Sequence, residues 1–280
     1  MKLKNLCRDQ LVIANGLYWR YSYDYYLDSM QRMGVQNIEL HGNSSHYPCE
    51  TLSEAELGLL KRKISDAKLR LITVAHDSSY SYPNIASEKK ELRLKTLELY
   101  RKMLYHASVL GAPQIQLLPG HGAFDDSREE NRKRAVESLI AICEEAEKYG
   151  IYVILENSSP HNTNVANTTA EILEIFDEVG SNLLVSMLDF CSVAKAGDDF
   201  MQAYRALGDR MRYIHACDGT PMGHLVPGEG ELDVEGHLRF LDDENYKGYI
   251  TYEIDHDLYN MEPEKHIQRG LDYMYERMEK

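Results

Sequence analysis

Three carboxylates and one imidazole each close a short apolar run in the second half of the chain: Val-Ile-Leu-Glu156, Val-Ser-Met-Leu-Asp189, Tyr-Ile-His215 and Ile-Thr-Tyr-Glu253. A single acid in such a position commonly caps the next helix or faces solvent. Four in succession are a different matter. Apolar runs that end side by side would aim three negative charges at one place, and charges so crowded need a cation. An oxygen-rich set with one imidazole, and with room left for substrate oxygens, suits Mn²⁺ foremost, with Co²⁺, Mg²⁺ or Zn²⁺ as alternatives; structural zinc favours cysteine and histidine. The expected ligands of one divalent ion are therefore Glu156, Asp189, His215 and Glu253.

Such convergence needs elements that end in register. Strand candidates cover residues 10–15, 37–41, 69–75, 114–118, 152–156, 183–189, 212–217 and 249–254; they are short, mostly aliphatic or β-branched, as buried parallel strands are. Between them run amphipathic stretches of helical period, among them 53–67, 88–110 and 128–149. Ser53-Glu-Ala-Glu resembles a capping box, and Gly111 and Gly150 stand where helices should stop. Strict alternation of eight strands with helices, with no linker between them, predicts a single (β/α)8 barrel spanning residues 1–280. In that architecture function gathers at the strand ends, which read Glu39/His41, His76-Asp77, His121, Glu156, Asp189, His215 and Glu253 in order.

Composition limits the partners. With 45 acidic against 31 basic residues the net charge is −14, a field that repels phosphodiester backbones and anionic membranes, so neither nucleic acid nor membrane is expected as a partner. No run approaches the ~18 to 20 apolar residues of a membrane helix, and the first ten residues lack a signal core. Five scattered cysteines without a CxxC pair fit a reducing, cytoplasmic setting.

The order Glu156, Asp189, His215, Glu253 resembles the xylose-isomerase-like TIM barrel superfamily, in which ketose 3-epimerases, inosose dehydratases and endonuclease IV are found. The likeness runs through nearly the whole chain and is strongest in Tyr213-Ile-His-Ala-Cys-Asp218, Gly228-Glu-Gly-Glu-Leu-Asp233 and Tyr249-Ile-Thr-Tyr-Glu253. Within it, Leu155-Glu-Asn-Ser-Ser-Pro160 with Asn164-Val165, Met187-Leu-Asp-Phe-Cys191 and His224-Leu-Val-Pro-Gly-Glu-Gly230 resemble epimerases of the fructoselysine 3-epimerase type. The resemblance implies a metal-dependent sugar epimerase or isomerase working through a metal-stabilised enediolate, with Glu156 and Glu253 as the proton-transferring pair and Asp189 and His215 chiefly ligands. The alternative is a lyase of the same superfamily, an inosose-type dehydratase or a C-glycoside-deglycosylating subunit. Two departures bear on the substrate. Free-ketose epimerases carry a histidine where this chain has Ser192, and an arginine in the loop that here reads Gly219-Thr-Pro-Met-Gly-His224; both losses are compatible with a ketose that bears a substituent. Ser192 and Met222 also break two positions of the endonuclease's trinuclear zinc site.

Other residues have weaker claims. His76, His121 (in Leu117-Leu-Pro-Gly-His-Gly122) and His224 are candidate substrate contacts, weighed against simple loop packing. Asn162 and Asn164 could orient Glu156. Gly228-Glu-Gly230 could bind an anion through its amides, or make a tight turn that lets Glu229 or His224 approach the mouth. Trp19, Tyr18, Tyr80 and Tyr82 suit sugar stacking or a subunit interface. The expected partners are a small sugar and further copies of this chain.

Overall fold

The eight apolar runs pair edge to edge as parallel strands in the computed structural model, which describes residues 2–76, 82–219, 223–255 and 257–279. They are β1 (Leu11–Ala14), β2 (Asn37–Gly42), β3 (Arg70–His76), β4 (Gln114–Leu117), β5 (Tyr152–Glu156), β6 (Leu184–Asp189), β7 (Met211–Ala216) and β8 (Tyr249–Tyr252). Each pairs with the next, and β1 pairs with β8, so the sheet closes into a (β/α)8 barrel. Four of the observed strands, β1, β4, β6 and β8, are a residue or two shorter than the apolar runs, because ladder pairing stops before the hydrophobic pattern does. Glu253 lies just past β8, yet its amide still donates to Ala216 O at 3.2 Å, which holds it to the ladder.

Alternation along the strands sorts the residues into two cores. Outward side chains such as Ile13, Leu40, Ile115, Leu155 and Ile214 join the main core beneath the helices. Inward ones, Val12, Ile72, Ile154, Val185, Met187 and Tyr213, fill the barrel, with Tyr152 and Tyr249 against them. Glu156, Asp189 and His215 each stand two residues after one of these inward side chains, so the two-residue period aims them into the carboxyl end of the barrel. Two irregularities adjust that aim. Ser186 pairs with Met211 but Met187 pairs with Tyr213, leaving Arg212 as an extra residue; Ile72 is the extra residue between β2 and β3.

The helices start and stop as the local sequence dictates. Ser53 forms the capping box with Glu56 at the head of α2 (Glu54–Asp66), and Thr168 with Glu171 does the same for α5 (Thr169–Val179). Gly111 takes the left-handed conformation (φ 84°) that ends α3 (Lys90–Leu110). The helix α4 (Arg128–Glu147) stops two residues short of the periodic stretch, ahead of Gly150 at φ 65°. Among the described residues no helix is long and apolar enough to cross a membrane.

The last helix, α9 (Pro263–Tyr275), packs so closely on β8 that a Cβ on Gly270 would stand 1.9 Å from Tyr252 Cζ. Gly270→Ala is therefore expected to destabilise the fold by about 1–3 kcal/mol through overpacking. Urea denaturation measures this, and an unchanged midpoint would show that α9 can move away at no cost.

Candidate metal centre and catalytic cavity

The carboxyl end of the barrel opens into a cavity of about 380 Å³, within the ~300–1,000 Å³ typical of small-molecule sites. Glu156, Glu253, His41, His76, Gln116 and His224 are on its wall. Ligand atoms of Glu156, Asp189 and His215 lie within 4.8 Å of one another, and so do those of Asp189, His224 and Glu253. His215 Nδ1 is 2.8 Å from Glu253 Oε2, which brings the four residues singled out in the sequence to one place.

The donor set fits a divalent cation. His215 Nδ1 is fully buried and makes no hydrogen bond, although a carboxylate oxygen stands close by. Two ligands of one cation would approach each other in this way. His215 Nε2, 3.3 Å from Glu39 Oε2, supplies the outer hydrogen bond that usually fixes a ligating imidazole. The carboxylates are held too. Gln116 Nε2 donates to Glu156 Oε2 at 2.6 Å, and Ser192 N donates to Asp189 Oδ1 at 2.6 Å. Asp189 thus caps α6 (Phe190–Ala196) with one oxygen and turns the other to His224 and to Cys217 Sγ, 3.4 Å away.

Electrostatics shows how tightly these charges are coupled. Burial pushes Glu156 up to about 8, with Glu253 and Asp189 adding to the rise and His215 opposing it. Burial also penalises the charges on Asp189 and Glu253, but His224 beside the first and His215 beside the second outweigh it, and both stay below the ordinary range. Burial would lower the two imidazoles, yet their carboxylate neighbours raise His215 and His224 well above theirs. Protons on the imidazoles and on Glu156 therefore balance the charge, and a divalent cation would displace them.

The remaining candidates separate. His76 lines the cavity at the end of β3; Gly42 lets it lie there, since a Cβ would meet His76 Cδ2 at 2.8 Å. His224 stands in the ligand cluster, its Nε2 3.3 Å from both Asp189 Oδ2 and Glu253 Oε2, on a loop residue with φ 62°. His121 is not on the cavity wall: its amide and carbonyl pair with Asn84, and its Nε2 is buried with no partner among the described residues. Asn162 reaches the wall, whereas Asn164 ties Gly122 N and Ala123 O together, so Gln116 is the residue that bonds Glu156. Trp19 lines the cavity; Tyr18 is buried against Ser29, and Tyr82 bonds Lys95 O. Asp77, Tyr80 and Met222 lie outside the described residues.

The glycine loop after β7 does not offer its amides to an external anion. Gly228 N and Gly230 N donate to Asp218 Oδ2 at 2.8 and 3.0 Å, and Gly219 N and Leu232 N donate to Oδ1. The turn closes on its own carboxylate, and Glu229 leaves the mouth to bond Tyr259 and Arg269. Glu39 and His41 stand among the strand-end residues of the sequence but have no role assigned there, and Gln116 is not among them. The available signal was alternation: Glu39 and His41 flank Leu40, and Gln116 lies between Ile115 and Leu117, so polar residues recur on the inward face of strands whose outward face is apolar.

The chain matches the xylose isomerase-like TIM barrel family model over residues 27–277. It is 26% identical to the fructoselysine 3-epimerase of Escherichia coli O157:H7 over 243 residues, 86% of this chain and 88% of that one. It is 23% identical to the D-psicose 3-epimerase of Enterocloster bolteae over 244 residues, 84% of this chain and 77% of the other. Among solved structures, the apo 3-keto-D-glucoside 4-epimerase of E. coli superposes with a TM-score of 0.81 at 20% identity, over 95% of this chain and 99% of that one, a likeness of fold.

The shift at Glu156 has a definite sign. Its pKa is raised to about 8 from an unfolded value of about 4.3, so its contribution to stability is complete below the unfolded value and is lost as pH rises through about 8. Cation binding must release that proton. Mn²⁺ affinity measured by calorimetry is expected to rise by up to about tenfold per pH unit per proton released, the share from Glu156 levelling off near pH 8. An affinity independent of pH between roughly 6 and 8 would contradict this account of the ligand set.

Proposed function

The chain belongs to the xylose isomerase-like TIM barrel family, and from that premise we propose that it is a divalent-metal-dependent 3-epimerase of a substituted, non-phosphorylated ketose. Most of its relatives are ketose 3-epimerases, with inosose dehydratases matching over a shorter stretch, and the chain is an enzyme of the isomerase class. The observation that carries the finer assignment is the meeting of Glu156, Asp189, His215 and Glu253 around an unbonded imidazole nitrogen at the floor of a cavity.

The residues have separable tasks. A divalent cation held by these four, Mn²⁺ foremost, would polarise the substrate carbonyl and the neighbouring hydroxyl, acidifying the hydrogen between them. Glu156 and Glu253 come from strands three steps apart around the ring, so they flank the bound sugar. One removes the proton and the other returns a proton to the opposite side of that carbon. Gln116 occupies Glu156 Oε2 and leaves Oε1 for this transfer. Asp189, capping α6 with its other oxygen, is a ligand held in place by the backbone.

The wall favours a substrate without phosphate. None of the described residues on it is Lys or Arg, and the undescribed segments 77–81, 220–222 and 256 contain neither residue in sequence. A phosphate would meet Glu156, Glu253 and Asp255 with no lysine or arginine on the wall to pair with it. Ser192, smaller than a histidine, leaves space on the wall, the loop sequence before His224 carries no arginine, and Trp19 and Asp255 at the rim suit a substituent that is apolar or positively charged.

Incubation with ketoses and 1-aminoketose adducts in D2O, with Mn²⁺, is expected to place one deuterium at C3 of the product without change in the carbon skeleton. Glu156→Gln and Glu253→Gln should each lower turnover by more than about 100-fold, since an amide cannot exchange the proton. Loss of water or of an aglycone in place of epimerisation would move the assignment to the lyase of the same superfamily.

A further inference from the structure

Deep in the barrel, below the ligand set, lies a fourth carboxylate that the proposed reaction leaves without a task. Glu39, on β2, is wholly buried. Its Oε2 accepts from Tyr213 Oη at 2.6 Å, with Thr251 Oγ1 at 2.9 Å and His215 Nε2 at 3.3 Å. Its other oxygen, Oε1, is bonded to His41 Nε2. No lysine or arginine approaches it among the described residues; every group it meets is a hydroxyl or an imidazole. The two rings come from different strands, and each presents Nε2 to the same carboxylate.

An imidazole that gives Nε2–H to a carboxylate has its other nitrogen fixed in both direction and role. For His215 that nitrogen is the buried, unbonded Nδ1 beside Glu253. For His41 it is a nitrogen with no partner among the described residues, on a side chain that lines the cavity. We propose that Glu39 is a positioning residue shared by two histidines: it orients His215 as a metal ligand and His41 as a sugar-binding residue whose Nδ1 meets a substrate hydroxyl. This rests on the metal-centre assignment above. It adds a substrate contact on β2, opposite the strands that carry the ligands, and explains why a carboxylate with no charged partner other than histidine persists in the barrel. A glutamine cannot replace it, because its amide has one accepting atom and two N–H donors to face.

Three measurements test the proposal. In wild-type protein with Mg²⁺, long-range ¹H–¹⁵N correlation spectra are expected to show Nε2 as the protonated nitrogen of both His215 and His41; an Nδ1–H form of either ring overturns the assignment without any variant having to fold. By calorimetry, Glu39→Gln should weaken Mn²⁺ affinity by about 10–100-fold, the usual effect of losing an outer-shell partner. His41→Gln should leave Mn²⁺ affinity within about twofold and raise KM for the ketose turned over, with a smaller effect on kcat. Wild-type Mn²⁺ affinity in Glu39→Gln, or a fall in Mn²⁺ affinity with unchanged KM in His41→Gln, overturns the shared role. Failure of the wild-type protein itself to bind Mn²⁺, Co²⁺ or Mg²⁺ overturns the metal centre, a distinct result.

Discussion

Four buried or half-buried carboxylates, Glu39, Glu156, Asp189 and Glu253, face one another across the end of an apolar barrel with only histidines to balance them. A buried charge without a partner is costly enough that proteins pair it, protonate it or bind it to a metal. Two of these remedies are visible here. Imidazoles pair with Glu39, Asp189 and Glu253, and a proton is retained on Glu156 up to about pH 8. The third, a divalent cation held as proposed above, would turn the cost of crowding into chemistry. The same negative charge that must be neutralised polarises nothing by itself, but it would hold a cation where a carbonyl oxygen could reach it.

The surroundings follow from that constraint. Three of the four carboxylates are immobilised by neutral donors on rigid structure: Glu156 by Gln116 on β4, Asp189 by the first turn of α6, Glu39 by Tyr213 and Thr251 inside the barrel. The loop after β7 is anchored by Asp218, whose two oxygens collect four backbone amides and so keep that charge away from the centre. This anchoring returns the chain at His224, whose left-handed backbone turns its ring towards Asp189 and Glu253. The thiols of Cys191 and Cys217, 3.1 Å apart, fill the space behind Asp189. A rigid, mostly neutral outer shell of this kind is what a site needs if proton transfer, and not rearrangement, is to follow binding.

Much of this was legible in the sequence, and the reason is periodicity. Strand runs such as Tyr152–Glu156 and Leu184–Asp189 are short, apolar and end in an acid; parallel strands of one barrel end at the same face, so four such endings must converge. Capping chemistry is equally local, and Ser53 and Gly111 do what their types predict. Tertiary structure decided what depends on contacts between strands distant in sequence. Gln116 and Glu156 are 40 residues apart, and Glu39 and Thr251 are 212 apart; no local pattern pairs them. His121, in a glycine-rich turn after a strand, has the local sequence of a substrate contact, but Asn84 holds its backbone and the ring lies off the wall. The glycines at 228 and 230 have the pattern of an anion site, and only the fold shows that Asp218 already fills it. Residue type and period determine which side chains reach the mouth of the barrel. Which of them touch, and which ring nitrogen is left for a ligand, depends on inter-strand register and on the irregularities at Ile72 and Arg212, because a shift of one residue on either strand would point its side chains out of the barrel.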